Sequence, residues 1–182
     1  RVASDWIEAI WREYEQHPEV VSVFGQILPG KLTSGADRYL TMNLAQAKRL
    51  QQVLPSAKKD ESCHQLYKED CYDLGFGHGA NMSFRRSVFS QFGGFDEFLG
   101  AGAVLGAWED RDIGYRILCG GGHILYSPEA VVYHDHWREW AEVKTAFKNY
   151  GIGTGTAVNK YMRSGDWGSI HLIFDWLVQL GI

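Results

Sequence analysis

Apolar residues return at helical spacing from Asp5 to His17 (DWIEAIWREYEQH), where Trp6, Ile7, Ile10, Trp11 and Tyr14 recur every three or four positions. Asp5 and Glu8 form an Asp-x-x-Glu pair that predicts a capping box at the start of this helix, and Pro18 ends it. The pattern then changes period. Val20 to Leu28 (VVSVFGQIL) is a continuous β-branched and apolar run, read as a buried strand closed by Pro29-Gly30. A second helix is predicted over Asn43 to Leu54, with Ala47, Leu50 and Leu54 on one face, and the polar stretch Lys58 to Asp73 reads as a surface excursion. Gly79 to Phe84 (GANMSF) predicts a short strand and Arg86 to Phe92 a short helix, turned by Gly93-Gly94.

Gly100 to Ala107 (GAGAVLGA) is small and flexible, and a helix begins near Glu109 and stops at Gly120-Gly121-Gly122. HILYS and EAVVYH are two short strands separated around Pro128. From Trp137 onward the pattern is helical, broken by GIGTGT and by Ser164-Gly165. GIGTGT follows a helix, whereas a dinucleotide loop follows a strand, so it is read as a hinge. In the last segment, Trp167 to Ile182, the polar residues His171, Asp175 and Gln179 recur every four positions while nearly all the rest is apolar. Such a helix wants cover over most of its circumference: its own core, a second copy, another part of the protein, or peripheral contact with a membrane surface. The polar stripe holds no Lys or Arg, which weighs against the membrane. Strands alternating with helices predict an α/β layer architecture, and no internal repeat or low-complexity segment is present.

Composition narrows the picture. A chain of 182 residues, 45% hydrophobic and 22% charged, supports one substantial core. A net charge of −4 and a pI near 6.0 argue against a nucleic-acid partner. The 3 cysteines, Cys63, Cys71 and Cys119, are odd in number and irregular in spacing, which points to a reducing, cytoplasmic setting rather than a disulfide framework. No apolar run reaches the roughly 20 residues of a membrane span. The chain opens on Arg1 and runs almost at once into a helix pattern, so it reads as a piece of a longer protein.

The chemistry concentrates in WEDRDIGYRIL, Trp108 to Leu118. Glu109, Asp110 and Asp112 crowd the first turn of the predicted helix. The helix dipole favours carboxylates there by about 0.3–1 kcal/mol each, so capping alone accounts for one or two of them. It accounts for neither the adjacent Trp108 nor the glycine-rich run before it, and a general base beneath a closing loop accounts for both. In VVYHDH, His134 and His136 share a face of the strand and Asp135 points the other way, a pattern that suits a divalent metal or merely a strand leaving the core. Cys63, His64, Cys71 and His78 lack the tight pairing of a structural zinc site. Asn81-Met82-Ser83 is formally a glycosylation acceptor, and in a reducing setting it reads as an ordinary polar pair on a strand.

Taken in order, DWIEAI, VVSVFGQILPG, GANMSFRRSVFSQFGGFDE and WEDRDIGYRILCGGGHILYSPEAVVYH resemble glycosyltransferase family 2, and KNYGIGTGTAVNKYMRSGD resembles the closing segment of many bacterial members. The resemblance implies the C-terminal portion of a GT-A fold, a mixed sheet with flanking helices, over residues 1–136, with a helical extension over 137–182 packed on it. It implies an inverting transferase that moves a sugar from a nucleotide-sugar to a hydroxyl of a glycan or polysaccharide. Asp110 would be the base, Glu109 and Asp112 would orient acceptor or base, and Trp108 would stack on an acceptor sugar. Asn81 and Ser83 would border the donor sugar, and His134 would help hold Mn²⁺ or Mg²⁺. The family's Asp-x-Asp metal motif and uridine-binding half would precede DWIEAI and are absent here, which predicts an inactive isolated fragment. The same absence predicts apolar surface on VVSVFGQIL, covered by self-association as a homodimer. Two other classes compete: a non-catalytic carbohydrate-binding or assembly module, and a metal-dependent hydrolase using Asp110, Asp112 and His134.

Overall fold

A computed structural model describes residues 1–32, 62–100, 102–136 and 139–179. The predicted helix over Asn43 to Leu54 lies outside them. The chain divides into two compact units, one built from residues 1–30, 62–96 and 109–135, the other including 97–108 and the helices after residue 136. The first has an α/β architecture, a four-stranded mixed sheet with flanking helices.

In sequence order the first unit contains α1 (Trp6–Gln16), β1 (Val20–Leu32), β2 (Gln65–Tyr67), β3 (Met82–Phe84), α2 (Ser87–Gln91), α3 (Glu109–Cys119) and β4 (His123–His136), with the last residues of β1 and β4 running past its limits. The sheet order is β2-β4-β1-β3, with β3 antiparallel to β1 (Val23 opposite Ser83) and β2 antiparallel to β4 (Leu66 opposite Leu125). Several boundaries depart from expectation. β1 continues through Pro29-Gly30 to Leu32. The polar stretch after Lys58 contains an edge strand, β2, whose Tyr67 is buried. HILYS and EAVVYH are one strand of 14 residues. Pro128 falls between the part of β4 paired with β2 and the part bridged by Val2, where a missing N–H costs no bond to either.

Two faces of the sheet take two helices. α1 lies over Val20, Val23, Leu125 and Ala130 through Ala9 and Ile10. On the opposite face Phe24, next along the strand from Val23, meets Phe76 with ring centroids 4.6 Å apart. Phe76 in turn presses on α3 at Gly114, where an added Cβ would come within 2.1 Å of its Cζ. Of the apolar residues on VVSVFGQIL, Val20, Val23 and Phe24 are fully buried within the chain, while Val21, Ile27 and Leu28 are partly exposed. The stripe on α1 is rotated from expectation: Ile10 faces the sheet, whereas Ile7 is 74% and Trp11 64% exposed. Its inward polar residue, Glu13, accepts from Ser127 Oγ and His64 Nε2, both at 2.6 Å, on one carboxylate oxygen. Asp5 stands at the helix start but makes no side-chain cap.

α3 ends as the glycine run predicts. Gly122 N–H donates to Ile117 O (2.8 Å), and Gly121 takes a left-handed φ of +78°. Cys119, its last residue, is exposed, and none of the three cysteines forms a disulfide.

The second unit contains α4 (Trp140–Arg163), a 3₁₀ turn (Trp167–Ile170) and α5 (His171–Gln179). α4 opens on a capping box between Glu139 and Glu142. It runs unbroken through GIGTGT, which is therefore no hinge. Its glycines admit neighbours instead: an added Cβ on Gly151 would come within 2.8 Å of Trp176, and one on Gly153 within 2.9 Å of Ala107 O and 3.0 Å of Trp108 Cδ1. Among the described residues no helix is long and apolar enough to cross a membrane.

Candidate active site

The acidic residues occupy the first turn of α3, as the sequence predicts, but they do different things. Asp110 is half-buried and accepts the Gly79 N–H on Oδ2 (2.6 Å) and the Arg111 N–H on Oδ1 (2.8 Å). Gly79 belongs to the turn before β3, which Asn81 N–H closes on His78 O (3.1 Å). A side chain at 79 would press on Asp110, its Cβ lying 3.2 Å from the Asp110 Cβ. Glu109 is also half-buried. Burial pushes its carboxyl above the ordinary value; its own backbone N–H pulls the other way, and the Asp110 charge adds to the rise.

Asp112, in the same first turn, is fully buried, and its Oδ2 receives Arg116 Nε (2.9 Å). The same guanidinium donates to Phe92 O and to Gly94 O (2.8 Å), so this ion pair ties α3 to the Gly93-Gly94 turn. The acceptor-orienting role expected of Asp112 does not fit a carboxylate closed off from solvent and already paired.

Asn81 and Ser83 are likewise spent on the fold. Asn81 is 1% exposed. Its Nδ2 donates to Gln26 O (2.9 Å) and Ala130 O (2.7 Å), and its Oδ1 accepts from Trp6 Nε1 (2.9 Å). The amide thus crosses β1 at Gly25 to reach β4, and a Cβ on Gly25 would fall 2.5 Å from Asn81 Nδ2 and 2.2 Å from Ala130 O. Ser83 Oγ donates to Val23 O (3.1 Å) and receives the Tyr14 hydroxyl (3.0 Å). Neither side chain is left for a donor sugar.

Trp108 belongs to the second unit. It carries a φ of +90°, a strained conformation for a bulky residue. The indole is buried, donates to Thr154 Oγ1 (2.7 Å) and rests on the Gly153 face of α4. The expected sugar-stacking ring is therefore a packing residue of the helical unit, which also explains GIGTGT.

His134 stands half-buried near the end of β4, in the same unit as Asp110. Beside it the start of the chain adds an antiparallel ribbon that the sequence does not announce. Arg1 and Tyr133 exchange both backbone bonds, the Arg1 amino group to Tyr133 O (2.7 Å) and Tyr133 N–H to Arg1 O (2.6 Å). Among the described residues no three His, Cys, Asp or Glu side chains converge as a metal site. His134 would need ligands from elsewhere. The Cys63, His64, Cys71 and His78 set is dispersed, His64 on Glu13 and His78 within 3.4 Å of Arg111.

Arg111 escaped the sequence reading. Half-buried, it donates through Nη1 to Leu74 O and through Nη2 to His78 Nδ1 (3.4 Å). Burial lowers its guanidinium from the ordinary value while Asp110 and Tyr67 pull it back up. Only its charge within WEDRD was legible beforehand. Compared with known proteins, this chain matches no family model, no curated protein and no solved structure.

Proposed function

We propose that this chain carries the acceptor-side part of an inverting glycosyltransferase of GT-A type, with Asp110 as the proton acceptor. The observation that carries the reading is the state of Asp110: a carboxylate in the first turn of a helix, half-buried, its orientation set by two backbone N–H groups. Such a group is pre-aimed, with lone pairs left to take a hydroxyl proton. As the acceptor oxygen attacks the anomeric carbon, its proton passes to Asp110 and the nucleoside diphosphate departs with the bonding pair. One in-line displacement of this kind inverts the anomeric centre. General-base help of this sort contributes roughly 10²–10⁴-fold.

Glu109 stands next to Asp110, whose charge helps raise the Glu109 carboxyl; Trp108, Asp112, Asn81 and Ser83 serve as packing and anchoring residues. The family resemblance assigns His134 to Mn²⁺ or Mg²⁺, which would neutralise the leaving diphosphate. The described residues do not complete a metal site by themselves, and the proton transfer above stands without one. A hydrolase built on Asp112 is disfavoured, because that carboxylate is already paired with Arg116.

The test is Asp110→Asn in the natural full-length protein, assayed with nucleotide-sugars and glycan acceptors. Transfer should fall at least about 100-fold while nucleotide-sugar affinity holds. A variant that turns over near the wild-type rate would remove Asp110 from the chemistry.

A further inference from the structure

We propose that Arg111 is a positioning residue that holds the Asp110 carboxylate in its working orientation by gripping the 74–79 loop; this rests on the reading of Asp110 as proton acceptor. The loop joining β2 to β3 has no helix or strand between residues 68 and 81; beside its own turn bonds and the buried Phe76, ties from α3 help fix it. Two come from adjacent residues of one helical turn. Asp110 takes the Gly79 N–H at one end of the loop, and Arg111 donates to Leu74 O at the other and to His78 Nδ1 between them. Gly77, at a φ of +135°, carries the chain over the Phe24 ring, where a Cβ would come within 3.2 Å.

The direction of the Gly79 N–H sets the direction of Asp110 Oδ2, and the loop is braced on the Arg111 guanidinium. Arg111 is therefore placed to govern the aim of the carboxylate without touching substrate. A lysine at 111 keeps the charge but presents a single point where the planar guanidinium spans two acceptors. A methionine keeps most of the stem and loses both bonds.

The experiment compares Arg111→Met, Arg111→Lys and Asp110→Asn in the full-length enzyme, by steady-state kinetics and by amide hydrogen exchange at Gly79. Arg111→Met should lower kcat at least about tenfold with donor KM changed less than about twofold, since misaiming a reacting group costs rate rather than ground-state binding. Arg111→Lys should recover part of that loss, and in both variants the Gly79 amide should exchange faster. A kcat within about threefold of wild type for Arg111→Met, or a loss carried by donor KM, overturns the proposal. Unchanged Gly79 exchange in a folded Arg111→Lys protein overturns it too, even if the methionine variant fails to fold. If Asp110→Asn abolishes transfer while both Arg111 variants turn over normally, positioning fails and the transferase reading survives. If wild type and Asp110→Asn transfer alike, the underlying reading fails.

Discussion

At the scale of single residues, several buried polar side chains are committed to bonds within the fold. Asn81 illustrates the cost of removing one. Asn81→Ala would strand the Trp6 indole N–H and the carbonyls of Gln26 and Ala130 in a closed interior. A loss of about 3 kcal/mol or more in urea denaturation is expected, well beyond a surface asparagine. Glu109 gives a prediction with a sign. Its carboxyl is raised above the ordinary value, so between the two values the folded chain binds more protons than the unfolded one, and stability falls as pH rises through that window. Glu109→Gln removes this penalty. The melting temperature of the variant minus that of the wild type should therefore grow from acid to neutral pH in calorimetry, and a constant difference would contradict the assignment. From sequence, Asn81 was legible only as a polar residue on a strand. Nothing in GANMSF announces that its amide passes over Gly25 to a strand some 50 residues away.

Among elements, those with a strong local period were legible and those held by partners were not. α1, β1 and α3 follow from an apolar helical period, a β-branched run and the triple glycine stop. β2 was hidden because three residues in a polar stretch form a strand only when β4 lies beside them. β4 was split in two because Pro128 usually marks a break, and here it falls between two pairing stretches. GIGTGT misled for a related reason: glycine lowers helix propensity by about 1 kcal/mol per residue, yet close packing can return more than that. Two of the three glycines of α4 separate these effects. Gly155 has open space, so Gly155→Ala should add roughly 0.5–1 kcal/mol of stability. Gly153 faces Ala107 O and Trp108, so Gly153→Ala should lose about 1–3 kcal/mol despite the same gain in propensity. Urea denaturation of the pair would decide, and equal shifts would refute the packing account.

For the whole molecule, the α/β class was readable from alternation alone, while the two-unit division was readable only in part. The sequence suggests a boundary near residue 136, and the structure also assigns 97–108 to the helical unit, because Trp108 bonds α4 whatever its place in the chain. The terminal helices keep the exposed apolar face that their pattern implied: Trp167 is 69% and Phe174 58% exposed, with Ile170 between them. Replacing Trp167 and Phe174 by lysine should cut binding of an apolar fluorescent dye by about half or more, since patches of this kind dominate such binding. An unchanged signal would place the exposed apolar surface elsewhere.

The exposed Cys119 has a use that chemistry at the other end of α3 does not touch. It closes the same 11-residue helix whose second residue is Asp110, roughly 14 Å away at about 1.5 Å per residue. A maleimide fluorophore or spin label attached there would ride on a rigid rod whose far end carries Asp110, the proposed proton acceptor. Any tilt of that rod as a nucleotide-sugar or glycan arrives would then be read in real time, from a handle outside the working end.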